Sequence, residues 1–114
     1  MVPDKELEKI LLELSECLRQ IYGIKLKSVI LYGSAARGTA DSDSDIDIMA
    51  LVDASAEELK QYEEKLCDVS TEFALEYFKV FSILDISYEE FSEWKHILPF
   101  YRNVAREGVV LYAA

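Results

Sequence analysis

The sequence predicts an α/β (α+β) fold in which a mixed β-sheet of about four strands is flanked by helices. Short apolar runs rich in β-branched and aromatic residues lie at 24–32, 45–52 and 77–86, a pattern typical of strands. The stretch between the second and third runs has helical spacing, so it predicts a crossover between strands of one sheet. A chain of 114 residues is expected to form a single domain, 1–114.

The first helix is expected to begin after Asp4, which can act as its N-cap, and to end at Gly23. Its apolar residues recur every three or four positions and form one stripe, which predicts a scaffold helix covering one face of the sheet. The stripe consists of Leu7, Ile10, Leu11, Leu14, Leu18 and Ile21.

Two capping boxes divide the second half of the chain. Ser55 with Glu58 begins the crossover helix, and Ser87 with Glu90 begins a short helix that runs to about Lys95. A further helix is expected over 100–107, and an edge strand over 109–112 ends the chain.

Residues 28–52 carry the chemistry. A glycine turn, Gly33-Ser34, ends the first strand, and such a turn can direct backbone N–H groups and a hydroxyl toward an anion. Asp45 and Asp47 alternate with isoleucines, so both carboxylates lie on one face of a strand, about 7 Å apart. Paired carboxylates suit Mg²⁺, which takes oxygen ligands and substrate phosphates. Together these features indicate phosphoryl or nucleotidyl chemistry.

The order Gly33-Ser34, ten residues, Asp45-x-Asp47 resembles the signature of the DNA polymerase β-like nucleotidyltransferase superfamily. The fuller strings, Gly33 to Gly38 and Ser44 to Asp47, resemble its minimal nucleotidyltransferase (MNT) branch. The ending over 106–112 is also similar to that of such domains. The resemblance covers nearly the whole chain and implies a polymerase β-like fold.

The resemblance implies an Mg²⁺-dependent transfer of AMP from ATP, with two ions held by Asp45, Asp47 and a third acid. Asp85 is the only acid within the third strand and is the candidate, although an aspartate there can instead cap the following segment. Gly33, Ser34 and Ser44 are expected to bind the nucleotide. Arg37 either contacts the triphosphate or the carboxylates, or it holds the loop through a surface salt bridge.

Members of the MNT branch often pair with a small helical HEPN protein, and the MNT protein then acts as the antitoxin that can transfer AMP to a tyrosine of the toxin. The resemblance therefore implies a HEPN-type protein as the acceptor. Two alternatives stay open. One is an adenylyltransferase of a small cationic compound such as an aminoglycoside, and the other is a catalytically silent module that binds nucleotide and regulates a partner.

The charge of the chain argues against one class of binding partner. The net charge of −10 disfavours binding to nucleic acid, which needs a positive patch.

The sequence also bears on localisation. No apolar run approaches the roughly 20 residues that span a bilayer, and the charged N-terminus does not resemble a signal peptide, so a cytoplasmic protein is expected. Cys17 and Cys67 are expected to be reduced, buried thiols, and the single histidine, His96, is expected to be solvated.

Overall fold

A computed structural model describes residues 5–39 and 45–114 of the chain. Two residues with a predicted role lie outside the described residues: Asp4, the expected N-cap of the first helix, and Ser44, expected to bind the nucleotide. The helices are α1 Lys5–Tyr22, α2 Gly33–Arg37, α3 Ala56–Leu59, α4 Glu63–Tyr77, α5 Tyr88–Trp94 and α6 Pro99–Glu107. The strands are β1 Leu26–Tyr32, β2 Ile46–Val52, β3 Phe81–Ser87 and β4 Val109–Ala113.

The four strands form one mixed sheet, as predicted, and their order in it is β3-β2-β1-β4. β1 lies antiparallel to both β2 and β4, whereas β2 and β3 are parallel. The parallel pair follows from the crossover through α3 and α4, because two parallel strands cannot be joined by a tight turn. β3 and β4 are the edges of the sheet, so the predicted position of the terminal strand is confirmed.

Two strand boundaries differ from the prediction. The first strand begins at Leu26 because Gly23–Lys25 form a 3-10 turn, in which Gly23 adopts a φ of 62°. The third strand begins at Phe81 because α4 continues to Tyr77 and ends at Phe78, whose φ is 55°. Residues 77–80, which the sequence assigned to that strand, therefore end the helix and turn the chain.

The two faces of the sheet pack against different helices. On one face Ile48 and Val52 of β2 are fully buried with Leu11 of α1 and Phe73 of α4, in the larger apolar cluster. On the other face Met49 packs with Phe91 of α5 and with residues of α6 in a smaller cluster. Strand side chains alternate between faces, so β2 contributes its even-numbered residues to the larger cluster. Asp47 belongs with the odd-numbered residues, on the face that α5 and α6 cover.

The first predicted capping box is present at the start of α3. Ser55 and Glu58 exchange both hydrogen bonds of the predicted box, at 3.1 and 3.2 Å.

The thiols of both cysteines are free, as expected, but the prediction that they are buried is wrong: Cys17 is partly buried and Cys67 is exposed. Within residues 5–39 and 45–114, no helix is long and apolar enough to cross a membrane.

Candidate functional site

Two carboxylates lie at the beginning of β2. Asp45 is exposed and immediately precedes the strand, whereas Asp47 is partly buried as the second residue of the strand. Asp47 pairs with Tyr32, the last residue of β1, so the carboxylate lies where β1 ends and α2 begins. The antiparallel pairing thus brings the Asp-x-Asp segment beside the glycine turn, although twelve positions separate Gly33 from Asp45 in the chain.

Gly33 is the residue against which the Asp47 carboxylate lies. Its φ is 74°, a backbone conformation that residues other than glycine rarely adopt. A Cβ built on Gly33 would collide with Oδ2 of Asp47 and would lie 3.2 Å from its Cγ. Glycine is therefore required twice, by the backbone conformation and by the close approach of the carboxylate.

The electrostatics of Asp47 are unfavourable for a bare carboxylate. Burial raises the pKa of Asp47 above the usual value of an aspartate, and the neighbouring charge of Asp45 raises it further. The positive charge of Arg37 acts in the opposite direction and lowers the pKa. A cation bound between the two aspartates would relieve both the desolvation and the repulsion.

Arg37 and Ser34 both lie on α2, next to the aspartates. The guanidinium of Arg37 forms a half-exposed ion pair with Glu107 of α6 at 3.5 Å, and it also acts electrostatically on Asp47. The salt-bridge interpretation of Arg37 thus describes a contact that is present. The carbonyl of Ser34 accepts hydrogen bonds from the backbone and side chain of Thr39, which closes the turn after α2.

A pocket of about 230 Å³ opens between α2 and α6, beside the glycine turn. Tyr32 and Phe100 contribute aromatic rings that meet edge-on, with centroids 5.6 Å apart. The pocket has polar groups at its border, so it combines apolar walls with a few polar contacts, as small-molecule sites do. It is lined by Tyr32, Gly33, Arg37, Phe100, Asn103, Val104 and Glu107.

Asp85 does not lie with this pair. In the regular parallel register Asp85 is opposite Ala50, an even-numbered residue of β2, whereas Asp47 is opposite Ser82. Asp85 therefore points to the face of the sheet that α1 and α4 cover. There its Oδ2 accepts a hydrogen bond of 2.8 Å from the hydroxyl of Tyr22 in α1. The prediction that Asp85 joins Asp45 and Asp47 around a metal does not agree with this geometry.

The burial of Asp85 has a structural explanation. Desolvation raises the pKa of its carboxyl, and the hydrogen bond from Tyr22 partly offsets that shift. The sequence could not have distinguished this arrangement, since residues 81–86 are apolar on both faces apart from Ser82 and Asp85. Ser82 is the β3 residue that sequence reasoning missed, and its signal is only its register with Asp47.

The model of one family, described as the nucleotidyltransferase domain, matches residues 11–110 of the chain. The chain belongs to the nucleotidyltransferase family. It is accordingly an enzyme of the nucleotidyl-transferring class, and the family assignment made from Gly33-Ser34 and Asp45-x-Asp47 is confirmed.

Two curated relatives come from Methanocaldococcus jannaschii, and each is named as a candidate protein adenylyltransferase. The first is 35% identical over 105 residues, which cover 92% of this chain and 97% of the relative. The second is 35% identical over 72 residues, which cover 63% of this chain and 71% of the relative.

Solved toxin–antitoxin structures share the fold of this nucleotidyltransferase. A toxin–antitoxin structure with AMP-PNP aligns at a TM-score of 0.58 and 18% identity, over 94% of this chain and 73% of its own. A structure of a tri-AMPylated HEPN toxin with its MNT antitoxin, from Shewanella oneidensis, aligns at a TM-score of 0.56 and 16% identity. That alignment covers 97% of this chain and 74% of the solved one. The predicted polymerase β-like fold is confirmed by this likeness.

The donors present fit a hard divalent cation. Asp45 and Asp47 offer carboxylate oxygens, and the missing side chain of Gly33 leaves the room that Oδ2 of Asp47 occupies beside the glycine turn. Among the residues that the structure describes, no group of three or more His, Cys, Asp or Glu side chains converges to enclose a metal. A two-carboxylate site of this kind suits Mg²⁺, which retains waters and takes its remaining ligands from substrate phosphates.

Proposed function

We propose that this nucleotidyltransferase transfers AMP from Mg²⁺-ATP to a hydroxyl group on a partner protein. The observation that carries the proposal is the contact between Gly33 and the Asp47 carboxylate, with Asp45 two residues earlier, immediately before the same strand. Residues 1–114 are taken to form one minimal nucleotidyltransferase domain, in keeping with the family match over 11–110.

Asp45 and Asp47 would hold Mg²⁺, and the turn at Gly33 and Ser34 would face the phosphates of ATP. When bound, the divalent cation supplies charge neutralisation of the triphosphate and lowers the pKa of an acceptor hydroxyl. The acceptor oxygen forms a bond to the α-phosphorus of ATP as the bond from that phosphorus to the bridging oxygen breaks. Pyrophosphate leaves with the electron pair, and the hydroxyl proton passes to water.

Two considerations favour a protein acceptor. Both Methanocaldococcus jannaschii relatives carry names of protein adenylyltransferases. The solved structures with the same fold include a HEPN toxin that is AMPylated and bound to an MNT antitoxin. A HEPN-type protein is therefore the partner that we propose, with this chain as its antitoxin.

The surface beside the site has the character expected for protein contact. The segment from the last residue of α5 to the first turn of α6, here called the 94–100 turn, exposes several large apolar side chains: Trp94, Ile97, Leu98 and Phe100. Ile97 is 63% exposed, and Phe100, at 46%, also touches the ring of Tyr32 at the border of the pocket. Clustered exposed apolar groups are a feature of interaction surfaces. We propose that the 94–100 turn contacts the acceptor protein whose hydroxyl reaches the carboxylates.

The experiment is a transfer reaction with α-labelled ATP, Mg²⁺, the purified chain and a lysate of its own source organism. We expect label on one protein, identified by mass spectrometry, and no label with Asp45→Asn or Asp47→Asn. Label on a small molecule would support the aminoglycoside-type alternative instead. Binding of Mg²⁺-ATP with no transfer to any acceptor would support a regulatory module.

A further inference from the structure

We infer that Ser82, and not Asp85, is the β3 residue that serves the candidate site, as a positioning residue for the cation held by Asp45 and Asp47. The inference rests on the proposed function, because it concerns the same site. It goes beyond that function by assigning a role to a residue of the neighbouring strand.

The register of β2 and β3 places Ser82 beside Asp47. The pairing is continuous from Ile46 opposite Phe81 to Val52 opposite Ser87, without an irregularity. Residues paired in this way point to the same face, and neighbouring strands lie about 4.8 Å apart. Ser82 is exposed, and its hydroxyl has no hydrogen-bond partner among the described side chains. It is therefore free to contact water or ligand in front of Asp47.

The same register places Asp85 on the other face of the sheet, away from the candidate site. Its carboxylate is on the opposite face and is engaged by Tyr22 at 2.8 Å. The ring of Tyr22 is in turn packed against Tyr62, with centroids 4.6 Å apart. A change of face would require β3 to slip by one residue, which would also move Phe81 out of the buried cluster.

A serine hydroxyl beside a carboxylate that holds Mg²⁺ has a specific use. Mg²⁺ keeps several waters, and a hydroxyl can accept a hydrogen bond from one of them while donating another to a carboxylate oxygen. Such contacts orient the direct ligands, and their loss typically weakens metal binding by about 10–100-fold. Ser82 thus supports the cation without contacting it directly.

The test measures Mn²⁺ binding by electron paramagnetic resonance in the presence of α,β-methylene ATP, whose α–β bridge resists transfer. We expect Ser82→Ala to weaken Mn²⁺ binding by about tenfold or more. Ser82→Thr keeps the hydroxyl and a side chain suited to strands, so it should bind nearly as the wild type does. Asp85→Asn should leave Mn²⁺ binding unchanged, since Asn can still accept the hydrogen bond from Tyr22. In turnover, Ser82→Ala should raise the Mg²⁺ concentration that gives half the maximal rate.

Two results would overturn the role of Ser82 alone: equal Mn²⁺ affinity in Ser82→Ala and the wild type, or loss of binding in folded Asp85→Asn. Either result leaves the proposed function intact if Asp47→Asn abolishes Mn²⁺ binding. No effect of Asp47→Asn on Mn²⁺ binding would instead overturn both the proposed function and the role of Ser82. Ser82 lies at an exposed position, so thermal unfolding of Ser82→Ala should match that of the wild type and exclude misfolding as the cause.

Discussion

Oδ2 of Asp47 occupies the space into which a side chain at position 33 would extend, so Gly33 and Asp47 are matched across the β1–β2 pair. This close approach brings together the two parts of the sequence signature, the glycine turn and the Asp-x-Asp segment. Gly38 provides an internal control, because it has almost the same backbone conformation, with a φ of 75°. A Cβ added to Gly38 would meet nothing within 4 Å.

Gly33→Ala should therefore reduce the transfer activity more than Gly38→Ala does. Each substitution forces a residue with a Cβ into the left-handed region, at a cost of about 1–2 kcal/mol in the free energy of unfolding. Only Gly33→Ala also displaces the Asp47 carboxylate, and a displacement of about 1 Å can reduce a rate about 100-fold. Chemical denaturation and transfer assays on both variants would check this. Equal activity in Gly33→Ala and Gly38→Ala would contradict it.

Asp47→Asn should raise the free energy of unfolding of the metal-free protein at neutral pH. Burial and the charge of Asp45 raise the pKa of Asp47, so folding favours its protonated form. The group's favourable contribution is present at low pH and is lost as the pH rises through the folded pKa. The advantage of Asn over Asp should thus be largest at neutral pH and vanish in acid.

Urea denaturation at several pH values, without divalent cation, measures this difference. Asp53→Asn, an exposed aspartate after β2, is the matched control and should change stability by less than about 0.5 kcal/mol. If Asp47→Asn is less stable than the wild type at neutral pH, the electrostatic description of the site is wrong.

Tyr22→Phe should destabilise the fold without changing the affinity for Mg²⁺-ATP. The variant removes a 2.8 Å hydrogen bond to a half-buried carboxylate, and loss of such a bond costs about 1–3 kcal/mol. Tyr62→Phe keeps the ring that packs on Tyr22 and is expected to cost less. The loss in Tyr22→Phe should diminish in acid, where Asp85 is protonated. A large fall in nucleotide affinity with little change in stability would instead connect Asp85 with the functional site.

Ile97→Glu should reduce transfer to the partner protein while leaving the binding of Mg²⁺-ATP unchanged. Ile97 is 63% exposed in the 94–100 turn, so the substitution does not disturb the core. A charge there would have to be desolvated on contact with an apolar partner surface. Leu75→Glu, in the exposed part of α4, introduces the same charge away from this turn and should have little effect. Equal losses in the two variants would argue against a specific role for the turn.

The strongest local patterns in the sequence predicted most of the fold. The apolar stripe of α1, the capping box at Ser55 and the alternation at Asp45–Ile48 each determine a structure from a few neighbouring residues. The faces on which Asp85 and Ser82 lie could not be predicted, because β3 is largely apolar on both faces, as parallel strands often are. Periodicity then carries no information on which residue faces which helix. Only the pairing with β2 resolves this, and pairing depends on residues more than thirty positions apart.

The central claim is that Asp45 and Asp47 support nucleotidyl transfer to a protein, and parallel reactions with α-labelled and γ-labelled ATP test it most directly. The reactions contain Mg²⁺, the chain and the HEPN-type protein that we propose as its acceptor, with Asp47→Asn as the control. We predict label on the acceptor from α-labelled ATP only, released pyrophosphate in equal amount, and neither product with Asp47→Asn. Label from γ-labelled ATP, or transfer that persists in Asp47→Asn, would contradict the claim.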